Sequence, residues 1–172
     1  MIRERLFEHK KKATVDLLTR LNNEHHMQMF LPKIIETCKS DDKKISLNLI
    51  DIERFSDFNK DNGHELSDNL LAYYGKKIKE LGQGFVSWRI GSDEFLVVYT
   101  YTDEDDKAKT VNKLVDDLRR ASLKPKGRED TLAPLYTLLA SGVLDKSMSV
   151  NANLNFLYAE IEKQKSERAK DA

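Results

Sequence analysis

Three acidic side chains fall where a divalent cation could be gripped. Asp51 closes the alternating stretch KISLNLID (44–51), and Asp93 and Glu94 lie in RIGSDEF (89–95), between FVSW and FLVVYT. The flanking stretches read as strands. Asp93 and Glu94 then sit at a hairpin tip, and Asp51 at the carboxyl end of another strand. If strand and hairpin are sheet neighbours, three carboxylates converge at one edge. Magnesium takes oxygen ligands, commonly one or two carboxylates plus substrate phosphates. A pair of such ions can clamp the attacking and leaving oxygens of a phosphoryl transfer. Gly91 lets backbone approach a phosphate closely. Each acid also has a plainer reading: the hairpin pair as a solvated turn, Asp51 as a helix N-cap before ERFSDF.

The elements that must position these acids follow from periodicity. Residues 1–15 are basic and weakly amphipathic (Ile2, Leu6, Ala13), a helical lead-in or partner-binding segment; residues 16–172 form the domain. Met27, Phe30, Leu31, Ile34, Ile35 and Cys38 recur at helical spacing, with Pro32 expected to kink or reset that helix. After the first strand a loop is expected, then a helix with Leu66, Leu70, Tyr74, Ile78 and Leu81 on one face, stopped by Gly82 and Gly84. DEDDKAKTVNKLVDDLRR is a further helix, KPKGRED (124–130) a polar loop, LAPLYTLLASGVL one or two buried strands and NLNFLYAEIEKQK a closing helix. The order α-α-β-α-β-β-α-β-α predicts an α/β or α+β sheet with helices on one or both faces.

Composition sets the bounds. At 172 residues and 40% hydrophobic, the chain suits one domain with a real core. A net charge of +0 gives no electrostatic reason to expect nucleic acid or a membrane surface as partner. The single cysteine, Cys38, excludes an internal disulfide and fits a reducing, cytoplasmic location. MIRERLFEHKKK holds no apolar run of signal-peptide or membrane-span length.

The stretch LIDIERFSDFNKDNGHELSDNLL (49–71), with RIGSDEF, resembles the GGDEF family, the diguanylate cyclases. That family's pattern runs D-x-D-x-F-K-x-x-N-D-x-x-G-H-x-x-G-D-x-x-L. Asp51, Phe55, Asn59, Gly63, His64, Asp68 and Leu71 match it without a gap, with Glu53 as the second acid. DLLTRLNN (16–23) resembles D-x-L-T-G-L-x-N-R, ASGV (140–143) resembles S-I-G-V, and Leu157-Tyr158 resembles the closing helix. The resemblance covers roughly residues 15–165. It implies a palm-like sheet related to nucleotidyl cyclases and polymerases. It also implies one GTP per domain, with two domains facing each other as a homodimer. Each 3′ hydroxyl attacks the α-phosphate of the other GTP, giving cyclic di-GMP and two pyrophosphates. By position, Asp51, the carbonyl of Ile52, Asp93 and Glu94 would hold magnesium or manganese, with Asp93 and Glu94 catalytic. Asn59 and Asp68 would read the guanine edge, His64 would lie near the ribose, and Gly91 and Ser92 would line a phosphate.

Several positions depart from the pattern. Ser92 replaces the second signature Gly, so the loop is expected to avoid positive φ there. Ser56 and Ile161 stand where phosphate-binding lysines are usual. Losing both would weaken triphosphate binding by a few kcal/mol in total, with Lys60, Lys163 or Lys165 available as partial substitutes. Arg20 and Ser67 replace glycines, and Asn23 an arginine. The R-x-x-D product-inhibition motif is absent, Gly82 and Phe85 standing at its ends, so no feedback is expected through it. Two functions follow: an active cyclase, or a degenerate domain that binds GTP or a protein partner without turnover.

Overall fold

In the computed structural model, residues 14–39, 43–102, 107–121 and 135–171 are described. The elements run β1 (Asn22–Asn23), α1 (Glu24–Cys38), β2 (Lys44–Ile52), α2 (Phe55–Lys79), β3 (Phe85–Arg89), β4 (Glu94–Tyr101), α3 (Lys107–Arg120), β5 (Thr137–Val143) and α4 (Val150–Asp171). One mixed sheet has the order β1-β3-β4-β2-β5, parallel only at β1–β3. Residues 1–13 of the expected N-terminal segment (1–15), the start of the α3 stretch (103–106) and the 124–130 loop lie outside the described residues; at the end of that segment Val15 is not helical and forms an isolated bridge with Asn22.

Side chains on β2 alternate between two cores, as strand geometry requires. Ile50 and Ile52 face Leu70, Tyr74 and Ile78 of α2 and Val111, Val115 and Leu118 of α3. Ile45, Leu47 and Leu49 face Met27, Leu31 and Ile35 of α1 and Leu154, Leu157 and Ile161 of α4. The sheet is therefore covered on both sides, and β2 is buried along almost its whole length. Its polar residues are satisfied internally. Asn48 Nδ2 donates to Ser46 Oγ and to the Val97 carbonyl, both at 3.1 Å, and Ser141 Oγ donates to Asn48 Oδ1 at 2.9 Å.

Pro32 lies inside α1, which continues through it rather than being reset, and Phe30 on the same helix is exposed instead of joining its buried face. The stretch expected as a loop after Asp51 is mostly helical, because Phe55 and Phe58, three residues apart, are both buried against the sheet. Gly63 interrupts α2 with φ 80°, ψ 169°, so two helical halves meet at a kink there. Asp51 is not the N-cap; Arg54 is, at φ 58°.

Before β1, residues 16–21 form a tight turn. Asp16 Oδ1 accepts from the Thr19 amide at 2.8 Å and from its hydroxyl at 2.6 Å. Arg20 follows at φ 61°, a left-handed conformation in which a side chain is strained. The resembling motif has Gly at that place, and the geometry explains why. Gly's extra freedom in the unfolded chain offsets part of the relief. Arg20→Gly is expected to stabilise the fold by about 0.5–1 kcal/mol, read as a higher urea midpoint; an unchanged or lower midpoint would contradict this.

No helix among the described residues is long and apolar enough to cross a membrane. Cys38, the one cysteine, is buried.

Candidate active site

The acids meet at one end of the sheet. Asp51 and Glu94 are directly paired residues on neighbouring antiparallel strands, so their side chains leave the sheet on the same face. Asp93 precedes Glu94, and its carbonyl accepts the Ile52 amide at 3.2 Å. This bond ties the end of β2 to the hairpin tip. α4 covers the acids on that face: Lys165 reaches Asp51, and the Tyr158 hydroxyl stands 3.5 Å from Glu94 Oε2.

The electrostatics record the convergence. Burial raises the Asp51 carboxyl above its ordinary range; Lys165 opposes this, and the charges of Asp93 and Glu162 add to it. Burial also raises Glu94, followed by the charges of Asp51 and Asp93. Burial pushes the Tyr158 hydroxyl up to about 12, with Glu94 adding to the effect. Buried like charges favour the protonated forms unless a cation joins them.

The hairpin is braced from behind. Arg89 donates from Nε to the Gly91 carbonyl at 3.1 Å and from Nη2 to the Ser92 carbonyl at 2.7 Å. Its Nη1 lies 3.3 Å from both Asp16 carboxylate oxygens. One guanidinium thus locks the tip to the turn at residues 16–19. Burial works against the Asp16 charge, but the Thr19 hydrogen bonds and Arg89 outweigh it and hold its carboxyl below the usual range.

Ser92 avoids positive φ, as the sequence predicted. Gly91 avoids it too; its requirement is space, because a Cβ there would collide with the Glu94 carboxylate.

The other expected site residues are spread along α2. Asn59 lies on the first half, with its buried Oδ1 unpartnered. His64 and Asp68 lie exposed on the second half, beyond the kink. Ser56 is exposed at the start of α2, and Ile161 is 1% exposed inside the core, where a lysine's charge would find no water. Beside the acids, Glu53 Oε2 accepts from Arg168 Nε at 2.8 Å, and Arg168 lies 3.4 Å over the Tyr136 ring. Sequence reasoning missed this cluster, and its partners are too far apart in the chain for any local pattern to show it.

The donor set fits a hard divalent ion. It is all oxygen, two of its acids are raised by burial and by neighbouring negative charge, and Asp51 Oδ1 is buried without a partner. Among the described residues, however, no three His, Cys, Asp or Glu side chains already stand around a common point. Each acid instead has a local neighbour: Lys165 for Asp51, Ser92 Oγ at 2.6 Å for Asp93, Tyr158 for Glu94. Where the absent R-x-x-D motif would lie, a cavity of about 400 Å³ is lined by Arg20, Asn22, Lys79, Gly82 and Phe85, with no carboxylate among its walls.

A mixed five-stranded sheet between two helical layers, with acids at the end of a central strand and at the adjoining hairpin, defines an α+β domain with an anionic sheet edge. The chain belongs to the family described as "Diguanylate cyclase, GGDEF domain", which matches residues 13–135. Diguanylate cyclase DosC of Escherichia coli (strain K12) is 26% identical over 140 residues, 76% of this chain and 29% of that protein. The chain thus spans less than a third of that relative's length. The fold is similar to the coiled coil and GGDEF domain of DgcB from Caulobacter crescentus in complex with c-di-GMP. The TM-score is 0.83 at 20% identity, covering 96% of this chain and 87% of that one. It is also similar to diguanylate cyclase SiaD from Pseudomonas aeruginosa in complex with its activator SiaC. There the TM-score is 0.81 at 18% identity, covering 97% of this chain and 64% of that one.

Proposed function

We propose that this domain is a cytoplasmic diguanylate cyclase. As a homodimer with magnesium or manganese, it would condense two GTP into cyclic di-GMP and two pyrophosphates. The observation that carries the reading is the register pairing of Asp51 with Glu94, with Asp93 bonded to Ile52 beside them. Asp51, the Ile52 carbonyl, Asp93 and Glu94 would hold the ion. When bound, it would neutralise triphosphate charge and orient the attacking and leaving oxygens. Asn59, whose buried Oδ1 lacks a partner, and Asp68 take the guanine edge, His64 the ribose, and Gly91 and Ser92 a phosphate. Each new 3′ oxygen–phosphorus bond forms as the α-phosphorus bond to pyrophosphate breaks. Asp93 and Glu94 carry the catalysis. The relatives crystallised with c-di-GMP and with an activator protein support the product and a protein partner, for which residues 1–15 are the segment we favour.

The test is incubation of purified protein with GTP and magnesium, followed by chromatography for cyclic di-GMP. Product from wild type but not from Asp93→Ala supports the reading; product from both overturns the assignment. The second reading, a domain that binds GTP without turnover, is favoured by Ile161 in the core and Ser56 at the edge, which leave two phosphate contacts without cations. No product together with a GTP-dependent rise in melting temperature would select it.

Gly91 supplies a sharper check on geometry. In Gly91→Ala the obstacle is the tip of a flexible side chain, so the fold should hold and Glu94 should move. Product formation is expected to fall on the order of 10²-fold, with a melting temperature close to wild type. Full activity would show that Glu94's placement is immaterial.

A further inference from the structure

Asp51 is the acid on which the proposed ion site depends, and it is already engaged. Its Oδ2 accepts from Lys165 Nζ at 3.2 Å, in a bridge where the Asp51 side chain is 5% exposed and that of Lys165 34%. Its Oδ1 is buried and has no partner. Lys165 is shared: its Nζ also lies 3.1 Å from Glu162 Oε1, one turn earlier on α4. Burial works against its charge, but Glu162 and Asp51 outweigh burial and hold its ammonium above the usual lysine range.

An ammonium on Oδ2 and a divalent ion on the neighbouring Oδ1 would stand close together on one carboxylate, and water at this partly exposed lysine screens only some of their repulsion. A buried carboxylate left without any cation is the costlier alternative. The chain meets both constraints with one side chain that is long, partly exposed and already held by a second acid. Lys165 can leave Asp51 while staying paired with Glu162.

We propose that Lys165 is a built-in counter-ion that holds Asp51 in the metal-free domain and must be displaced when a divalent ion enters. It is a positioning residue that sets metal affinity. The proposal rests on the reading of Asp51 as a metal ligand given above.

The test uses manganese alone, without nucleotide, measured by electron paramagnetic resonance of the free ion and by thermal shift. Lys165→Met keeps length and helix preference while removing the ammonium. It is expected to bind manganese about tenfold more tightly than wild type and to be less stable than wild type before metal is added. Lys170→Met, which removes an exposed charge on the same helix, should change neither. Lys165→Gln is the second variant should the methionine form fold poorly, and its affinity should rise in the same direction. Equal or weaker binding in both Lys165 variants overturns the proposal. If Asp51→Asn abolishes binding while the Lys165 variants match wild type, this inference alone fails and the ion site stands. If wild type, both Lys165 variants and Asp51→Asn are all blind to manganese, the ion site fails and this proposal falls with it. A rise of the same size in Lys170→Met would reduce the effect to general electrostatics and also overturn it.

Discussion

Asp51→Asn is expected to leave the domain at least as stable as wild type while lowering the proposed cyclic di-GMP formation by about 10²–10³-fold or more. The two effects share one cause. Asp51 is 3% exposed and carries a charge that burial disfavours, with Asp93 and Glu162 adding repulsion. Lys165 opposes this without reversing it, so neutralising the side chain removes an unfavourable term. Lys165 loses one partner but keeps Glu162 and partial contact with water. The same charge is what a cation would need, so stability and function pull against each other at this residue.

The pH dependence follows with a definite sign. Asp51 and Glu94 have folded pKa values above the unfolded ones, near 3.8 and 4.5, so the folded state binds their protons more readily. Their contribution to stability therefore grows as pH falls through the raised folded values, and is complete below the unfolded ones. Asp16, held low by Thr19 and Arg89, acts oppositely: its contribution is present above its unfolded value and fades as pH falls through its lowered folded value. Melting curves of metal-free wild type and Asp51→Asn, taken between neutral and mildly acidic pH, should converge as the pH drops. An Asp51→Asn variant that melts well below wild type at neutral pH, or a gap that widens on acidification, would sink this account.

The parts of the site that the sequence revealed are those carried by local spacing. Alternation marked β2 with Asp51 at its end, and the hairpin followed from two apolar runs around RIGSDEF; the sheet order then brought them together. The first half of α2 reads as a loop in the sequence because ERFSDFNKDNG is polar and ends in a turn dipeptide. Phe55 and Phe58 are enough to bury one face of two turns, and Gly63 supplies a kink rather than a helix start. The sequence marks Gly91 as room for a phosphate; the fold shows that the Glu94 carboxylate also stands where a Cβ at that position would be, while its φ is ordinary. That constraint needs the fold to be seen. So does the bond between Lys165 and Asp51, whose partners stand 114 residues apart, and that between Arg89 and Asp16, 73 apart. Long-range pairs are set by how layers stack, and stacking leaves no period in the chain.

Gly75 shows the same lesson as an energy. It lies inside the second half of α2, one turn before its end, where alanine is intrinsically better by about 1 kcal/mol, and nothing nearby in sequence argues for glycine. In the fold, α2 presses on the turn at residues 16–19, and a Cβ at position 75 would stand 2.5 Å from the Thr19 carbonyl oxygen, 2.6 Å from its Cβ and 2.8 Å from its Cα. These obstacles are mostly backbone, which cannot rotate aside, and Thr19 is pinned by two hydrogen bonds to Asp16. The clash therefore outweighs the gain in helix propensity. Gly75→Ala is expected to destabilise by about 1–3 kcal/mol, lowering the melting temperature by roughly 2–12 °C for a domain of this size. Trp88, the one tryptophan, is fully buried under α1 and reports unfolding directly. Because Asp16 also holds Arg89, and Arg89 holds the hairpin tip, displacement of the turn should reach Asp93 and Glu94. Any cyclic di-GMP formation should then drop further than the unfolded fraction alone explains. An alanine variant as stable as wild type would mean that the turn yields at no cost, and that the contact between α2 and residues 16–19 does not set the position of the acids.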